Sequence, residues 1–126
     1  MRFWLKLGSY MRREKLYLAD IVEASDAIAR FLTGVDNKAF LASDMIRSAV
    51  LQKLMVIGEA ASKIPDTVRE RHADVPWRRL VGLRNIGAHA YFTVRWETAW
   101  LVATEEVPLL RVKVAAILEA EYPGQE

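Results

Sequence analysis

Apolar residues recur along this chain at steps of three and four, the spacing that places side chains on one face of an α-helix. The first such row runs through Leu18, Ile21, Val22, Ser25, Ile28, Ala29 and Leu32. Thr33 and Gly34 follow this row, and a glycine at this place is a typical helix C-terminal signal. The pattern predicts a first helix over residues 9 to 33.

A second row follows Ser43, whose hydroxyl can cap a helix N-terminus. Its members are Ile46, Val50, Leu54, Ile57, Ala61 and Ile64. The predicted helix ends before Pro65, which cannot continue it. Gly58 interrupts this helix without a side chain, either because the backbone of another element comes close or because the helix tolerates an isolated glycine.

The rest of the chain also predicts helices. Residues 65 to 72 form a short one, and Pro76 opens a third main helix at its first turn. The last helix spans about residues 94 to 120, and Pro108 is expected to kink it. No strand alternation appears. The simplest architecture that buries these rows is all-α, an up-down four-helix bundle with a short extra helix.

Composition limits the class of protein. The 126 residues are 52% hydrophobic and 27% charged, which fits one folded domain over residues 1 to 126 and excludes a disordered chain. No apolar run reaches the roughly 20 residues of a membrane span, and the absence of cysteine is compatible with a reducing cytoplasm. Residues 1 to 8 lie outside the rows, so we expect a flexible extension that docks on a partner.

Charge is unevenly distributed, although the net charge is only +2. Between residues 63 and 84, six basic residues face three acidic ones. A basic patch of this kind binds phosphate backbones with little reading of sequence, and Arg78 and Arg79 are its candidate RNA-binding residues. The alternative is a solvated helix face with local ion pairs.

The segment from Arg84 to Tyr91 carries the candidate chemistry. Arg84 can hold a phosphate through two parallel hydrogen bonds, and His89 can take and give protons near neutral pH. Asn85 precedes His89 by four residues and could orient the imidazole ring on a shared helix face. Tyr91 adds a hydroxyl that can bind phosphate or be modified. A structural alternative has Arg84 in an ion pair, His89 at a helix end and Tyr91 packed at the surface.

Other kinds of site find little support. His72, the only other histidine, precedes a loop signal and is expected to cap a helix C-terminus. Two histidines and no cysteine offer no credible three-ligand metal site, and no nucleotide-binding glycine motif is present. We therefore expect neither a metal nor a cofactor.

The polar segment, with the upstream Pro76 and Trp77, resembles the HepT-like branch of the HEPN superfamily. Its signature, Arg-x-x-x-x-His-x-Tyr, is met by Arg84, His89 and Tyr91. The resemblance covers about residues 10 to 118 and includes the order of the predicted helices.

The resemblance implies a toxin of a type II toxin–antitoxin system, a metal-independent endoribonuclease. It implies a two-fold homodimer in which the paired motifs face a shared cleft. It also implies a cognate minimal nucleotidyltransferase antitoxin that adds AMP to Tyr91. Gly87 and Ala88 stand where relatives often have bulkier aliphatic residues.

The chemistry of RNA cleavage agrees with these roles. RNA carries its own nucleophile, the 2′-hydroxyl, so cleavage needs a proton acceptor, a proton donor and charge stabilisation. We assign Arg84 to the phosphate, His89 to proton transfer and Asn85 to orientation; a dimer would supply the second His89. The competing hypothesis is a non-catalytic helical dimerisation or adaptor module that binds a nucleotidyltransferase or a nucleotide.

Overall fold

The computed structural model of the protein describes the backbone of residues 2–87 and 93–123 and the side chains of residues 13–87 and 93–123. Throughout these residues the regular elements are helical, which confirms the predicted all-α class. The elements are α1 (Arg2–Phe31), α2 (Asn37–Ala42), α3 (Asp44–Ser62), α4 (Asp66–Arg71), α5 (Trp77–Gly82), a 3-10 turn (Leu83–Asn85), α6 (Trp96–Leu101), a π-helical turn (Val102–Glu106) and α7 (Val107–Glu121). The up-down order of the bundle and the two-fold homodimer stay predictions.

Helix α1 packs against both α3 and α7. Its buried face includes Leu18, Ile21 and Ile28, as the apolar row predicted. The helix begins at Arg2, so the predicted start at residue 9 was wrong, and it ends at Phe31. Gly34 follows with a φ of 73°, a left-handed conformation that glycine adopts without steric cost. The expected docking role of residues 1 to 8 stays a prediction.

The predicted second long helix is α3. The Ser43 hydroxyl accepts a hydrogen bond from the Ile46 N–H at 3.1 Å and so caps the helix. The short helix α2 precedes it and was not predicted, since six residues carry too little periodicity. It buries Phe40, whose ring lies 5.3 Å from that of Trp100 and 6.3 Å from that of Trp96. The aromatic contact ties α2 to α6.

Helix α4 confirms the predicted short helix after Pro65. His72 closes it, because the His72 N–H donates to the carbonyls of Val68 and Arg69. The His72 ring also contacts the Glu121 carboxylate, which binds Arg71 at 2.8 Å. The predicted structural role of His72 at a helix end is confirmed, and it ties α4 to the end of α7.

The predicted last helix is divided by the π-helical turn. The Val107 N–H donates to the carbonyl of Val102, five residues earlier, instead of the usual four. Pro108, which lacks an N–H, comes next and lies in the first turn of α7. The wider turn thus accommodates the proline without ending the helix. It also carries Glu106 to the side of α5.

The core lies between α1, α3 and α7, with α5 and the 3-10 turn covering the other side of α3. Fully buried side chains come from each of these layers, among them Ile28, Leu54, Leu80 and Val114. Burying a large aliphatic side chain stabilises the fold by roughly 1.5–3 kcal/mol. The 3-10 turn that carries Arg84 packs directly onto α3.

Candidate active site

The 3-10 turn lies against α3 at Gly58. A β-carbon built at Gly58 would stand 2.2 Å from the Arg84 nitrogen and 2.8 Å from the Arg84 α-carbon. Real side chains do not approach a backbone so closely, so only glycine fits here. The first of the two sequence interpretations of Gly58, a close approach of another backbone, is confirmed. Gly58 thereby fixes the position from which the Arg84 side chain leaves the core.

Arg84 and Asn85 both expose their side chains, although the turn that carries them is anchored by the buried Leu83. Within the described part of the chain, the Arg84 guanidinium makes no hydrogen bond or ion pair. The structural alternative, an ion pair at Arg84, finds no carboxylate partner among these residues. A charged, exposed guanidinium on a rigid turn can receive an anionic ligand.

Gly87 follows the 3-10 turn and again faces α3. A β-carbon there would lie 3.2 Å from a Leu51 methyl carbon and 3.5 Å from the Met55 sulfur. That approach is tight, and a bulkier residue would require Leu51 to move. The glycine at this position is thus explained by the proximity of α3.

His89 and Tyr91 lie outside the described residues. Their expected roles in proton transfer and modification, and the expected shared face of Asn85 and His89, are therefore untested. The described backbone leads from Arg84 to Gly87, two residues before His89.

Beside the 3-10 turn lies an open groove of about 700 Å³ between α5 and the last helix, the α5–α6 groove. Its lining comprises Pro76, Trp77, Arg78, Arg79, Gly82, Leu83, Asn85, Ile86, Thr98 and Val102. The structure thus brings three sequence candidates, Arg78, Arg79 and Asn85, to one depression. Arg84 is the immediate chain neighbour of Asn85.

Arg79 makes a bidentate ion pair with Glu106. Its Nε contacts one carboxylate oxygen, and its Nη2 donates to the other at 2.6 Å. The pair lowers the pKa of Glu106, although partial burial opposes the effect, and it raises the pKa of Arg79. Both groups are therefore charged at neutral pH. Arg78, in contrast, is exposed and has no ion-pair partner among the described residues.

Sequence reasoning missed Thr98, Val102 and Glu106. All three lie on the predicted last helix, where the sequence analysis named no candidate site residue. Glu106 meets Arg79 across 27 positions of sequence, and no local pattern signals such a pair. Thr98 is exposed and reaches the groove only because α6 lies opposite α5.

Metal-binding clusters and membrane-spanning helices are both absent from the described residues. Across residues 13–87 and 93–123, no three His, Cys, Asp or Glu side chains group in a way that could hold a metal ion. Each helix in the described part of the chain is too short or too polar to span a membrane.

Comparison with known proteins identifies relatives. A family model described as "Ribonuclease HepT-like" matches residues 21–117. A Methanocaldococcus jannaschii protein named "Putative RNase" is 37% identical over 106 residues, which are 84% of this chain and 97% of that protein. A Thermococcus cleftensis protein named "Probable ribonuclease HepT" is 35% identical over 102 residues, 81% of this chain and 93% of that protein.

A third relative also carries a ribonuclease name. The Caldanaerobacter subterraneus protein named "Putative RNase" is 30% identical over 111 residues, 88% of this chain and 99% of that protein. The chain therefore spans nearly the whole length of these relatives. No solved structure matches the chain significantly.

Proposed function

The chain belongs to the Ribonuclease HepT-like family, and on this premise we propose that it is an endoribonuclease that cuts RNA without a metal ion. The observation that carries the proposal is the position of Arg84. Its backbone is fixed against Gly58, while its guanidinium is exposed and unpaired among the described residues. A cation fixed in this way is prepared to hold a phosphodiester.

The proposed reaction uses the nucleophile of the substrate. The 2′-oxygen attacks the adjacent phosphorus, its proton passes to a base, and the bond to the 5′-oxygen breaks as an acid protonates that oxygen. His89 exchanges these protons, Arg84 stabilises the charge on the phosphorane, and Asn85 orients the imidazole or the phosphate. Arg78 and Arg79 hold the neighbouring RNA backbone. None of these steps requires a metal ion.

In-line attack places the incoming 2′-oxygen and the departing 5′-oxygen on opposite sides of the phosphorus, which favours a separate base and acid, so we propose a two-fold homodimer that supplies a second His89. Exposed apolar side chains on the last helix, Leu101, Leu109 and Val112, support an interface there. A stable interface would bury more than about 1,000 Å². A fully active monomer in sedimentation at micromolar concentration would contradict both the dimer and the shared cleft.

The proposal extends to regulation. As a type II toxin, the protein would be silenced by a cognate minimal nucleotidyltransferase that transfers AMP to the Tyr91 hydroxyl. The adduct adds negative charge and bulk to the motif, so it would compete with RNA phosphate. This step needs ATP and the antitoxin enzyme.

The experiment that tests the proposed function is an RNA cleavage assay in EDTA with the wild type and His89→Ala. Loss of a general acid or base typically lowers a rate by roughly 10² to 10⁴, and the variant should keep its thermal unfolding temperature. Equal cleavage by the variant would overturn the assignment of His89. A wild type that binds but never cuts RNA would instead favour the adaptor module.

A further inference from the structure

We propose that the α5–α6 groove holds the base of an RNA nucleotide next to the scissile phosphate. The inference deepens the proposed function and rests on it, because it assigns the groove to the same substrate. It adds Thr98, Gly82 and the apolar floor of the groove to the residues that contact RNA.

The size and lining of the groove fit a nucleobase. Its volume of about 700 Å³ lies within the roughly 300–1,000 Å³ typical of small-molecule sites. The floor is apolar, formed by Leu83, Ile86 and Val102, and polar groups lie on the lining as well. A base combines an apolar face with hydrogen-bonding edges, so it suits both kinds of surface.

The polar groups come from opposite walls. Asn85 offers an amide that both donates and accepts hydrogen bonds, and Thr98 offers a hydroxyl from α6. Both side chains are exposed. Within the described residues neither makes a hydrogen bond through its side chain. They are therefore available to the edges of a ligand.

The groove adjoins the Arg84–Tyr91 segment through Asn85. Asn85 lines the groove and follows Arg84 directly in the chain, although Arg84 is not itself a lining residue. A phosphate held by the long, exposed Arg84 side chain would be within reach of a nucleotide in the groove. A nucleotide attached to that phosphate can put its base into the groove. Blocking the groove should therefore weaken RNA binding without removing the groups that perform the chemistry.

Charge favours a polyanion as the occupant. Arg78 and Arg79 line the same groove, and among residues 13–87 and 93–123 no acidic residue contributes to its lining. The carboxylate nearest to Arg79 is that of Glu106, which is engaged in the ion pair. An RNA strand that leaves the groove would meet these two guanidinium groups. The alternative occupant is an apolar surface of a second copy of the chain. Sedimentation tests this alternative, because it reports whether changes in the groove alter the oligomeric state.

Gly82 gives the means to fill the groove without disturbing the fold. It lies on α5 and lines the groove, and a β-carbon there would meet no described atom beyond its own stretch of helix within 4 Å. Gly82→Leu would project a side chain into this space and would also raise helix propensity. Thr98→Leu fills the groove from the opposite wall. Ala116→Leu, at an exposed position of α7 outside the groove, is the matched control.

Two measurements separate this inference from the proposed function. The first is the affinity for a 2′-O-methyl oligoribonucleotide, which lacks the nucleophile and cannot be cut, measured by fluorescence anisotropy. We expect Gly82→Leu and Thr98→Leu to weaken binding about tenfold, the typical effect of losing one base contact, and Ala116→Leu to leave it unchanged. The second is cleavage of the unmodified RNA, with KM raised in the same two variants.

The outcomes are distinct. Unchanged affinity in both folded groove variants would overturn the base site even if RNA is cut. Weaker binding in a protein that cuts no RNA would support the site and contradict the nuclease. Sedimentation of each variant completes the test, because loss of the wild-type oligomer in both groove variants but not in Ala116→Leu would assign the groove to a subunit contact and overturn the inference.

Discussion

Gly58 on α3 lies so close to the backbone of Arg84 that a β-carbon at position 58 would stand 2.2 Å from the Arg84 nitrogen. The contact joins α3 to the turn that presents the proposed phosphate-binding guanidinium. Neither backbone can shift inside a packed core without a loss of stability, so the position of Arg84 depends on the buried Gly58.

This contact predicts opposite effects at two glycines. Gly58→Ala should destabilise the protein by about 1–3 kcal/mol, the usual range for overpacking, and should displace Arg84 and reduce cleavage. The added methyl group of Gly82→Ala meets no atom of another described element within 4 Å, so this change should be neutral or stabilising by up to about 1 kcal/mol. Urea unfolding of both variants checks this pair. Equal stability of the two would show that the Arg84 turn adjusts freely.

A second prediction concerns competition at Arg79. RNA phosphate and the Glu106 carboxylate would bind the same guanidinium, so Glu106→Gln should raise RNA affinity roughly two- to fivefold. Both groups are substantially exposed, and stability should therefore fall by less than about 1 kcal/mol. Anisotropy with the 2′-O-methyl oligoribonucleotide measures the affinity.

The control for Glu106→Gln is Asp26→Asn. It removes the same charge from a similarly exposed pair with Arg111, which lies between α1 and α7 and away from the α5–α6 groove. An equal gain in RNA affinity in both variants would show that the gain comes from the change in net charge and not from the release of Arg79.

A third prediction is a pH dependence of stability from Glu121. Its hydrogen bond with Arg71, aided by His72 and opposed by partial burial, lowers the pKa of Glu121 below its ordinary value of 4.5. A lowered folded-state pKa contributes stability that is present above pH 4.5 and is lost as pH falls through the folded value. Wild type should therefore be more stable than Glu121→Gln at pH 7, by about 1 kcal/mol or less.

The difference between wild type and Glu121→Gln should shrink as pH falls below 4.5, the ordinary pKa of a glutamate carboxyl, toward the lower folded-state pKa. Urea unfolding at several pH values follows it. Glu119→Gln, an exposed change on the same helix, provides the control. A stability difference that stays constant at every pH below 4.5 would show that the Glu121 contacts do not depend on its charge.

Local signals in the sequence were sufficient for much of the fold. Ser43 marked the start of α3, Pro65 marked its end, and Gly34 marked the turn after α1, because caps and breakers act within a few residues. The close approach at Gly58 was one of two interpretations that the sequence allowed. Only the position of Arg84 in space decides between them.

Relationships between distant segments could not be predicted. Helix α2 is stabilised by the contact of Phe40 with Trp96 and Trp100, which lie far along the chain. The α5–α6 groove and the Arg79–Glu106 pair exist only because α5 packs beside the last helix. The spacing of apolar residues shows which face of a helix is buried, but it does not show which other helix packs against that face.

The fourth prediction concerns modification of Tyr91. Incubation with the cognate nucleotidyltransferase, ATP and magnesium should add AMP to this hydroxyl and silence cleavage, and Tyr91→Phe should escape both. Tyr122 is a suitable internal control, because burial and the neighbouring Glu14 raise its pKa to about 12 and its hydroxyl is hydrogen-bonded to that carboxylate. Mass spectrometry locates the adduct. Full silencing of Tyr91→Phe would reject modification in favour of complex formation.

The chemistry of the cut ends tests the central claim most directly. Attack by the 2′-oxygen without a metal ion leaves a 2′,3′-cyclic phosphate on one product and a 5′-hydroxyl on the other. We expect wild-type protein in EDTA to produce these ends, His89→Ala to produce roughly 10² to 10⁴ times less product, and 2′-O-methyl RNA to stay intact. Cleavage that needs added magnesium and leaves 5′-phosphate and 3′-hydroxyl ends would contradict the account.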